Sequence, residues 1–385
     1  MTSKRIASLI IGIASLVAIL AMGAGTVPAR AAEPPEQIDV YVSGQDGYDT
    51  YRIPSVIVTK KGTVLAFCEG RRHSASDAGD IDMLVKRSSD GGKTFSKSQV
   101  VWDDGPNTCG NPCPVVERET GAIVLLMTHN RGDDEEGAII AGKSKGTRTV
   151  WKSTSRDDGL TWSRPEEITA ATKKADWTWY ATGPGAGVQL KCGRLVVPCD
   201  NVETGTHRQN SNVIYSDDRG ATWRLGGSTG PKADECEVVE RSDGSLLLNI
   251  RNYDRRHLCR ATAISKDRGM SWSAPAFDET LIEPVCQASI RRYSWAGEGG
   301  KSRILFSNPA SAKERTDLTV RLSYDEGATW PSSKLLYRGP AAYSCLAVAR
   351  DGTILCLYER GTGSAYEKIT LARFGLAWLT DGKDR

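Results

Sequence analysis

The sequence predicts an all-β protein, and more narrowly a six-bladed β-propeller with four-stranded antiparallel blades. Three observations favour this fold class. Glycine accounts for 39 of the 385 residues, which exceeds the roughly 7% of ordinary globular proteins and indicates many tight turns. One octapeptide pattern occurs five times. No stretch of the sequence shows sustained helical periodicity.

The octapeptide has the form Ser-x-Asp-x-Gly-x-Thr/Ser-Trp/Phe, and its copies begin at Ser88, Ser155, Ser216, Ser265 and Ser323. The intervals between them, 67, 61, 49 and 58 residues, indicate a solenoid or a propeller. The aspartate can cap backbone N–H groups, the glycine can adopt a positive φ, and the final aromatic ring can pack under the neighbouring strand. Because each copy follows a β-run, we interpret it as a hairpin turn with a structural role.

A second repeat consists of two apolar strands joined by a glycine turn. Its clear copies turn at Gly62, Gly121, Gly193, Gly244 and Gly352, and a looser copy covers residues 288–307. Six inner hairpins and five outer turns predict six four-stranded blades. The sixth blade lacks an octapeptide, and the strand at 37–42 could complete it and close the ring.

The N-terminus resembles a targeting segment. Lys4 and Arg5 precede an apolar run over residues 6–22, and Ala29-Arg30-Ala31 follows as a small-x-small cleavage site. We therefore expect a signal peptide over residues 1–32, a secreted or periplasmic protein, and no membrane attachment after cleavage. An uncleaved membrane anchor is the alternative, since the apolar run could nearly span a bilayer.

After the signal peptide we expect a linker at 33–36, the propeller over 37–380 and a C-terminal tail at 381–385. Three positive residues of the signal peptide, Lys4, Arg5 and Arg30, account for the whole formal charge of +3. A neutral mature chain argues against a nucleic-acid partner.

The ten cysteines make some disulfides plausible in an exported protein. Cys68, Cys259 and Cys356 lie in apolar strand-like runs, which instead favours buried thiols. No histidine accompanies the cysteines at zinc-binding spacing, so we expect no metal site.

Three arginines end or interrupt apolar strands: Arg52 in Tyr51-Arg-Ile-Pro54, Arg251 and Arg321. A buried guanidinium needs an anion, and its fork of donors fits a carboxylate. A propeller brings strand ends from all blades to one axial mouth, so the three could share one carboxylate. Taken singly, each could equally form a structural ion pair.

The Tyr51-Arg-Ile-Pro54 opening, the five octapeptides (aspartate boxes) and the order of the residues below resemble the exo-sialidases, or neuraminidases, over residues 37–379. This resemblance implies that Arg52, Arg251 and Arg321 form the arginine triad that holds the carboxylate of sialic acid.

The resemblance also implies a fourth pocket arginine at Arg71, with its neighbour Arg72 as the alternative. Asp77 matches the acid/base aspartate of the family, and Asp80 and Asp82 are nearby rivals. Asp77 would act as an acid only if its pKa were raised or the medium were acidic.

In the same way, Tyr343 matches the nucleophile of the family, and Glu235, sixteen residues before Arg251, matches the glutamate that pairs with it. Glu237 and Glu240 are the alternatives for this glutamate, and we expect a strand face and a hairpin position for them.

Glu359 matches the acid that orients Arg52, and Asn111 matches a position beside the sugar hydroxyls. Some relatives carry Asp at that second position, so the preference at the 4-hydroxyl stays open. Residues 177–180 and 183–185 lie where relatives shape the N-acetyl and leaving-group sides, and we assign no roles there.

The resemblance therefore implies a secreted, retaining exo-α-sialidase without a cofactor, acting on sialylated glycoproteins, glycolipids or oligosaccharides. Two alternatives stay open: a trans-sialidase or intramolecular trans-sialidase with the same site, and a non-catalytic sialic-acid-binding propeller. A tyrosine nucleophile suits this sugar, because its anomeric carbon carries a carboxylate that would repel a second carboxylate.

Overall fold

The computed structural model describes residues 33–206, 208–297 and 300–384. The predicted signal peptide at 1–32 lies outside these residues. Within the described part of the chain, no helix combines the length and the apolar composition that a membrane crossing requires.

The described residues form 24 strands and three short helices. The helices are α1 (Glu136–Ile140), α2 (Thr169–Thr172) and α3 (Leu376–Leu379). The strands are β1 (Glu36–Val42), β2 (Thr50–Val58), β3 (Val64–Arg71), β4 (Ile81–Ser88), β5 (Gln99–Trp102), β6 (Thr108–Val116), β7 (Ile123–Asn130), β8 (Thr149–Ser155), β9 (Glu166–Glu167), β10 (Trp177–Thr182), β11 (Val188–Gln189), β12 (Leu195–Glu203), β13 (Gln209–Ser216), β14 (Arg224–Ser228), β15 (Ala233–Glu240), β16 (Leu246–Asn252), β17 (Cys259–Ser265), β18 (Ala276–Ile282), β19 (Ser289–Ser294), β20 (Arg303–Pro309), β21 (Thr316–Ser323), β22 (Ser332–Val348), β23 (Ile354–Arg360) and β24 (Lys368–Phe374). The all-β prediction is therefore confirmed.

The strands pair into four hydrogen-bonded sheets. The first has the order β2-β3-β4-β6-β7-β8-β9, with β5 on β4, and the second has the order β10-β12-β13-β14, with β11 on β12. The third is β15-β16-β17-β18 and the fourth is β1-β24-β23-β22-β21-β20-β19. Only the third consists of four strands, in the part of the chain that the structure describes.

The N-terminal strand pairs antiparallel with the last strand of the chain, from Glu36 opposite Arg373 to Val42 opposite Lys368. Residues 37–42 therefore form the strand that the sequence predicted. It joins the two ends of the described chain within one sheet, so both termini contribute to the same layer of the fold.

The core lies between the faces of neighbouring sheets. Strands β2, β3, β6 and β12 are buried along nearly their whole length. A strand buried on both faces must pack against sheets on either side, which explains why these strands have apolar residues in long runs rather than in strict alternation. Their ends carry the polar residues described below.

The octapeptides adopt the predicted turn. In the third copy, Ser216 Oγ donates to Asp218 Oδ1 over 2.8 Å, and Thr222 Oγ1 donates to Asp218 Oδ2 over 2.6 Å. The amides of Thr222 and Gly220 donate to Asp218 Oδ1 and Ser216 Oγ, and Gly220 has a φ of 87°. The same four contacts recur in the other copies. Trp223 closes the turn against the core with 2% exposure.

Replacing this capping aspartate should destabilise the fold without touching the chemistry. We expect Asp218→Ala to cost about 1 kcal/mol of unfolding free energy, because the turn amides lose their acceptor. Some burial would raise the pKa of Asp218, but hydrogen bonds from Thr222 lower it to about 2. The stabilisation is therefore complete above the ordinary pKa of 3.8 and is lost as the pH falls towards 2. Thermal melts at several pH values measure this, with the exposed Asp176→Ala as the control; equal melting temperatures for both variants would contradict it.

All ten cysteines lie in the described residues and all are free thiols, nine of them buried. The disulfides that export made plausible are not formed in the structure, and the nine buried cysteines occupy core positions as small apolar side chains. Cys68, Cys259 and Cys356 are buried, as their apolar neighbours predicted.

Candidate active site

A polar cleft with a volume of about 310 Å³ lies where several strands come together. This volume is at the lower end of the range for small-molecule sites. The cleft brings together seven of the nine residues predicted from the sequence: Arg52, Arg71, Asp77, Asn111, Glu235, Arg251 and Tyr343. Glu359 lies directly behind the cleft, in contact with Arg52. Arg321 does not line it.

Breaks in the strand ladders place these side chains. The register shifts between Arg52 and Ser55 on β2, between Gly110 and Cys113 on β6, between Ala233 and Cys236 on β15, and between Ala341 and Ser344 on β22. At two of these breaks, Ile53 and Asn111 have positive φ values of 61° and 54°. Such bulges redirect side chains at the edge of a sheet. The predicted site residues near these breaks therefore line the cleft rather than follow the regular pleat.

The centre of the cleft is a hydrogen-bonded group of three side chains. The Tyr343 hydroxyl donates to Glu235 Oε1 over 2.6 Å, and Arg251 Nη1 donates to both Glu235 Oε2 (2.6 Å) and the Tyr343 oxygen (3.0 Å). Burial raises the pKa of Glu235, although Arg251 opposes the shift. Burial, then the charge of Glu235, raises the pKa of Tyr343 well above its usual value. A phenol with an adjacent carboxylate base and a cation on its oxygen is the arrangement of an activated nucleophile.

Glu359 fixes two parts of the site at once. Its Oε1 accepts from Arg52 Nε over 2.8 Å and from the Ile53 amide over 2.9 Å, while its Oε2 accepts from the Tyr343 amide over 3.1 Å. Arg52 is also held by the Tyr366 ring, whose centroid lies 4.1 Å from the guanidinium carbon. One buried carboxylate thus sets the position of an arginine and of the tyrosine backbone together.

The prediction for Arg321 is wrong. Arg321 lies within β21, opposite Phe306 and Ser333, and its Nη1 donates to Asn308 Oδ1 over 2.9 Å inside the sheet. This hydrogen bond holds the side chain between β21 and β20, away from the residues that line the cleft. The guanidinium is satisfied by a neutral side chain instead of by a shared carboxylate.

Arg315, which directly precedes β21, stands in the cleft instead. Its Nη1 donates to the Tyr366 hydroxyl over 2.9 Å, and its guanidinium carbon lies 5.4 Å from the centroid of the Tyr343 ring. Arg52 lies on the same ring at 5.1 Å. The signal that could have found Arg315 is its place at a strand end, just before an apolar run.

On the opposite wall, Arg71 links Glu69 and Asp77. Its Nη2 lies 2.6 Å from Glu69 Oε2 and 2.7 Å from Asp77 Oδ1. The side chain of Asp77 is 56% exposed at the cleft and lies 3.7 Å from Arg52 Nη1. Partial desolvation inside the cleft raises the pKa of Asp77, but Arg71 and then Arg52 outweigh this effect and lower it below its ordinary value. Of the two conditions under which Asp77 could act as an acid, the structure therefore favours an acidic medium, because two guanidinium groups stabilise its ionised form.

The residues that the sequence offered as alternatives to Asp77, Glu235 and Arg71 form contacts elsewhere. Arg72 pairs with Asp80 and Asp82 outside the cleft. Glu237 is buried, and its carboxylate accepts from Ser289 Oγ and from the amides of Ala186 and Ile290. Glu240 accepts from the Lys191 amide. These groups hold the fold, whereas Asp77 and Glu235 face the cleft.

Asn111 lines the cleft beside Glu69. Its backbone amide donates to Glu69 Oε1 over 2.8 Å, and its side-chain oxygen accepts from Thr128 Oγ1 over 3.0 Å. The first contact fixes the backbone at the cleft wall and the second orients the amide side chain.

The cleft also contains six side chains that sequence reasoning missed. They come from irregular loops or from positions without a strand-end pattern, and they are Glu136, Arg148, Asp200, Asp234, Tyr253 and Tyr366. Asp234 adjoins Glu235 in sequence, and the Tyr253 oxygen accepts from Arg251 Nη2 over 2.9 Å. Proximity in sequence to a predicted residue was the only signal for these last two.

Residues 62–356 match the family model described as a BNR repeat-like domain. The sialidase of Micromonospora viridifaciens is 37% identical, over 89% of this chain and 54% of that protein. The exo-alpha-sialidase of Aspergillus fumigatus is 33% identical, over 87% of this chain and 86% of that protein. The chain belongs to the sialidase family.

The solved structures agree on the sialidase fold. Hadza microbial sialidase Hz136 superposes with a TM-score of 0.82 at 31% identity, over 89% of this chain and 69% of that one. The intramolecular trans-sialidase from Ruminococcus gnavus is similar in fold alone, with a TM-score of 0.74 at 19% identity, over 89% of this chain and 98% of that one. This sialidase fold is of the β-propeller type. The chain spans 54% of the Micromonospora sialidase and 62% of the Bacteroides fragilis sialidase.

Proposed function

We propose that this member of the sialidase family is a retaining exo-α-sialidase that releases terminal sialic acids from glycoproteins, glycolipids or oligosaccharides. The observation that carries the proposal is the 2.6 Å hydrogen bond from the Tyr343 hydroxyl to Glu235, within reach of Arg251. A phenol held against a carboxylate base can pass its proton to that base as its oxygen attacks an electrophilic carbon. The family resemblance gives that reaction its substrate.

Arg52, Arg251 and Arg315 would hold the substrate carboxylate. All three are part of the cleft, and Arg52 and Arg315 both stand over the ring of Tyr343. Guanidinium groups bind carboxylates with paired N–H donors, and they stay charged at any relevant pH. A carboxylate held there would bring the anomeric carbon attached to it next to the Tyr343 oxygen.

In the first step, the Tyr343 oxygen would bond to the anomeric carbon while its proton passes to Glu235. The glycosidic C–O bond breaks, and the leaving oxygen takes the proton of Asp77. The neutral phenol avoids the repulsion that a carboxylate nucleophile would meet at a carbon already bearing a carboxylate.

In the second step, Asp77 would take a proton from water, and the resulting oxygen would bond to the anomeric carbon. The bond to Tyr343 breaks, and the phenolic oxygen recovers its proton from Glu235. Two displacements at one carbon restore the original configuration, so the product first formed is the α-anomer.

A fluorogenic aryl α-sialoside tests the activity, and NMR of the first sugar released tests the stereochemistry. We expect hydrolysis and the α-anomer as the initial product. The β-anomer as the first product would contradict the double displacement, and a purified, folded protein without any turnover would contradict the function.

The pH dependence follows from the two acids. The reaction needs Glu235 ionised and Asp77 protonated, yet burial raises the pKa of Glu235. Partial desolvation would also raise the pKa of Asp77, but Arg71 and Arg52 lower it. The reactive form is then most populated between the two values, in the acidic range. We expect kcat/KM to peak there and to fall towards pH 8. A profile that rises beyond pH 8 would contradict these roles.

We also propose that the strands divide into six four-stranded blades. The 17-residue β22 pairs with β21 up to Pro340 and with β23 from Ala341 onwards, which suggests that its two halves belong to adjacent blades. The parallel contact between β4 and β6 is a single pair, Ile81 with Thr108, which suggests a second boundary. Residues 1–32 would act as the export signal, with the linker, propeller and tail as predicted from the sequence.

A further inference from the structure

A second cavity lies at the opposite end of the strands that carry the cleft. Strands β2, β6, β15 and β22 contribute to both. On β2, Arg52 lines the cleft and Val56 lines the second cavity, and four residues of extended strand span about 13 Å. On β22, Tyr343 and Leu346 divide in the same way. Within the described residues the two sets of lining residues do not overlap, so the second cavity is a separate space.

Valine is the commonest residue in the walls of the second cavity. Four of these valines are only half-buried, and they come from four different strands: Val58, Val116, Val188 and Val348. They leave apolar surface in contact with water, which a ligand with an apolar body would cover favourably. The cavity has a volume of about 290 Å³. It holds roughly ten non-hydrogen atoms, at the share of about 30 Å³ that a water molecule takes in the liquid.

Three arginines also line this cavity: Arg118, Arg291 and Arg292. Arg118 is exposed, and its Nη1 and Nη2 donate to the carbonyl oxygens of Gln189 (2.8 Å) and Leu190 (2.6 Å). These acceptors are neutral, and no carboxylate of the described chain pairs with Arg118. Since a guanidinium has five N–H donors, several of them stay available for an anion.

The other two arginines have acidic neighbours. Arg291 Nη2 lies 3.8 Å from Glu237 Oε1, and Arg292 pairs with Glu326. The Nε atoms of both arginines are buried without a hydrogen-bond partner among the described residues. Glu240 is the single carboxylate among the described lining residues, against three arginines. The lining therefore carries an excess of positive charge and favours an anion.

An aromatic ring adds to the apolar lining. Trp295 is half-buried, and its ring has Lys191 Nζ at 3.7 Å and the guanidinium carbon of Arg292 at 4.2 Å from its centroid. Two cations held against one ring keep it in place and raise the positive potential at the cavity. Apolar walls beside fixed cations suit an amphipathic anion better than a neutral or a fully polar ligand.

We propose that the second cavity binds a free carboxylic acid with an unbranched chain of about eight carbons, in its ionised form. The chain would pack against the valines and remove their surface from water, and the carboxylate would accept N–H donors of Arg118. Octanoate has about as many non-hydrogen atoms as the cavity holds. This binding takes place away from the cleft, so the proposal does not depend on sialoside hydrolysis.

Calorimetry with octanoate, hexanoate and octanol on the full chain tests this inference. We expect octanoate to bind at one site. Hexanoate should bind about tenfold more weakly because it buries two fewer methylene groups, and octanol about tenfold more weakly because it lacks the charge. Equal affinities for octanoate and hexanoate, or no binding of octanoate, would overturn the inference without any variant.

Arg118→Met should weaken octanoate binding about tenfold, and its melting temperature should stay close to that of the wild type because Arg118 is exposed. Arg315→Ala is the matched control, because Arg315 is an arginine of the cleft, and it should leave the affinity for octanoate unchanged. If Arg315→Ala weakens binding and Arg118→Met does not, octanoate occupies the cleft and the inference is wrong.

A lipid surface is the other occupant that this chemistry could fit. Sedimentation with vesicles of phosphatidylglycerol distinguishes it, and we expect the protein to stay in the supernatant. Cosedimentation that Arg118→Met abolishes would assign the cavity to a membrane surface and overturn the inference. Neither result depends on whether the chain hydrolyses a sialoside.

Discussion

Tyr343→Phe is expected to lower the turnover of an aryl sialoside by at least about 10³-fold, because the double displacement loses its nucleophile. The phenyl ring keeps its packing, and Arg251 still donates to Glu235. The fold should therefore survive, with a melting temperature close to that of the wild type. Steady-state kinetics and a thermal melt measure the two quantities.

Tyr358→Phe is the matched control for this change. Tyr358 is another buried tyrosine of the same sheet, and its hydroxyl donates to Gln37 Oε1 over 2.7 Å, away from the cleft. Its removal should leave turnover unchanged. If Tyr343→Phe remains active, or if both variants lose activity equally, Tyr343 is not the nucleophile.

Arg315→Ala is expected to reduce kcat/KM by about two orders of magnitude, or about 3 kcal/mol, because the substrate carboxylate loses one of three guanidinium partners in a buried site. The loss should be much smaller for a substrate analogue whose carboxylate is replaced by an uncharged amide. Kinetics on the two substrates separate the loss of a charge contact from a general loss of structure.

Arg321→Ala provides the contrast. Removal of this arginine leaves Asn308 without its donor inside the sheet, so stability should fall. The KM of the folded fraction should stay unchanged. A KM that rises for Arg321→Ala but not for Arg315→Ala would reverse our assignment of the third arginine.

Arg315 and Arg321 show which features of the fold and of the site can be predicted from the sequence. The octapeptides and glycine turns are local signals, so the all-β class, the turns and the N-terminal strand could be predicted from nearby residues alone. The resemblance also pointed to Arg52, Arg251, Glu235 and Tyr343, and all four line the cleft. The choice between Arg315 and Arg321 depends on where β21 begins, and strand boundaries are the least certain part of any sequence-based reasoning.

The pKa shifts of the site residues were harder to predict from the sequence than the identity of those residues. The lowered pKa of Asp77 depends on Arg71 and Arg52, and Arg52 reaches the acid only in the folded chain. Arg148 and Asp200 lie 52 positions apart in unrelated segments, and neither has a sequence pattern. Both line the cleft in the folded chain, where β12 carries Asp200 beside β10, a pairing that no local signal encodes.

The register breaks in β2, β6, β15 and β22 lie in other parts of the structure than the aspartate turns, so mutations at the two places should have different effects. The bulges set the chemistry at the inner ends of the strands, whereas the aspartate turns secure the outer periphery. Substitutions at the periphery should therefore change the thermal stability of the protein, and substitutions at the bulges should change its substrate preference. The two properties can be engineered almost independently, because the residues that govern them do not share contacts.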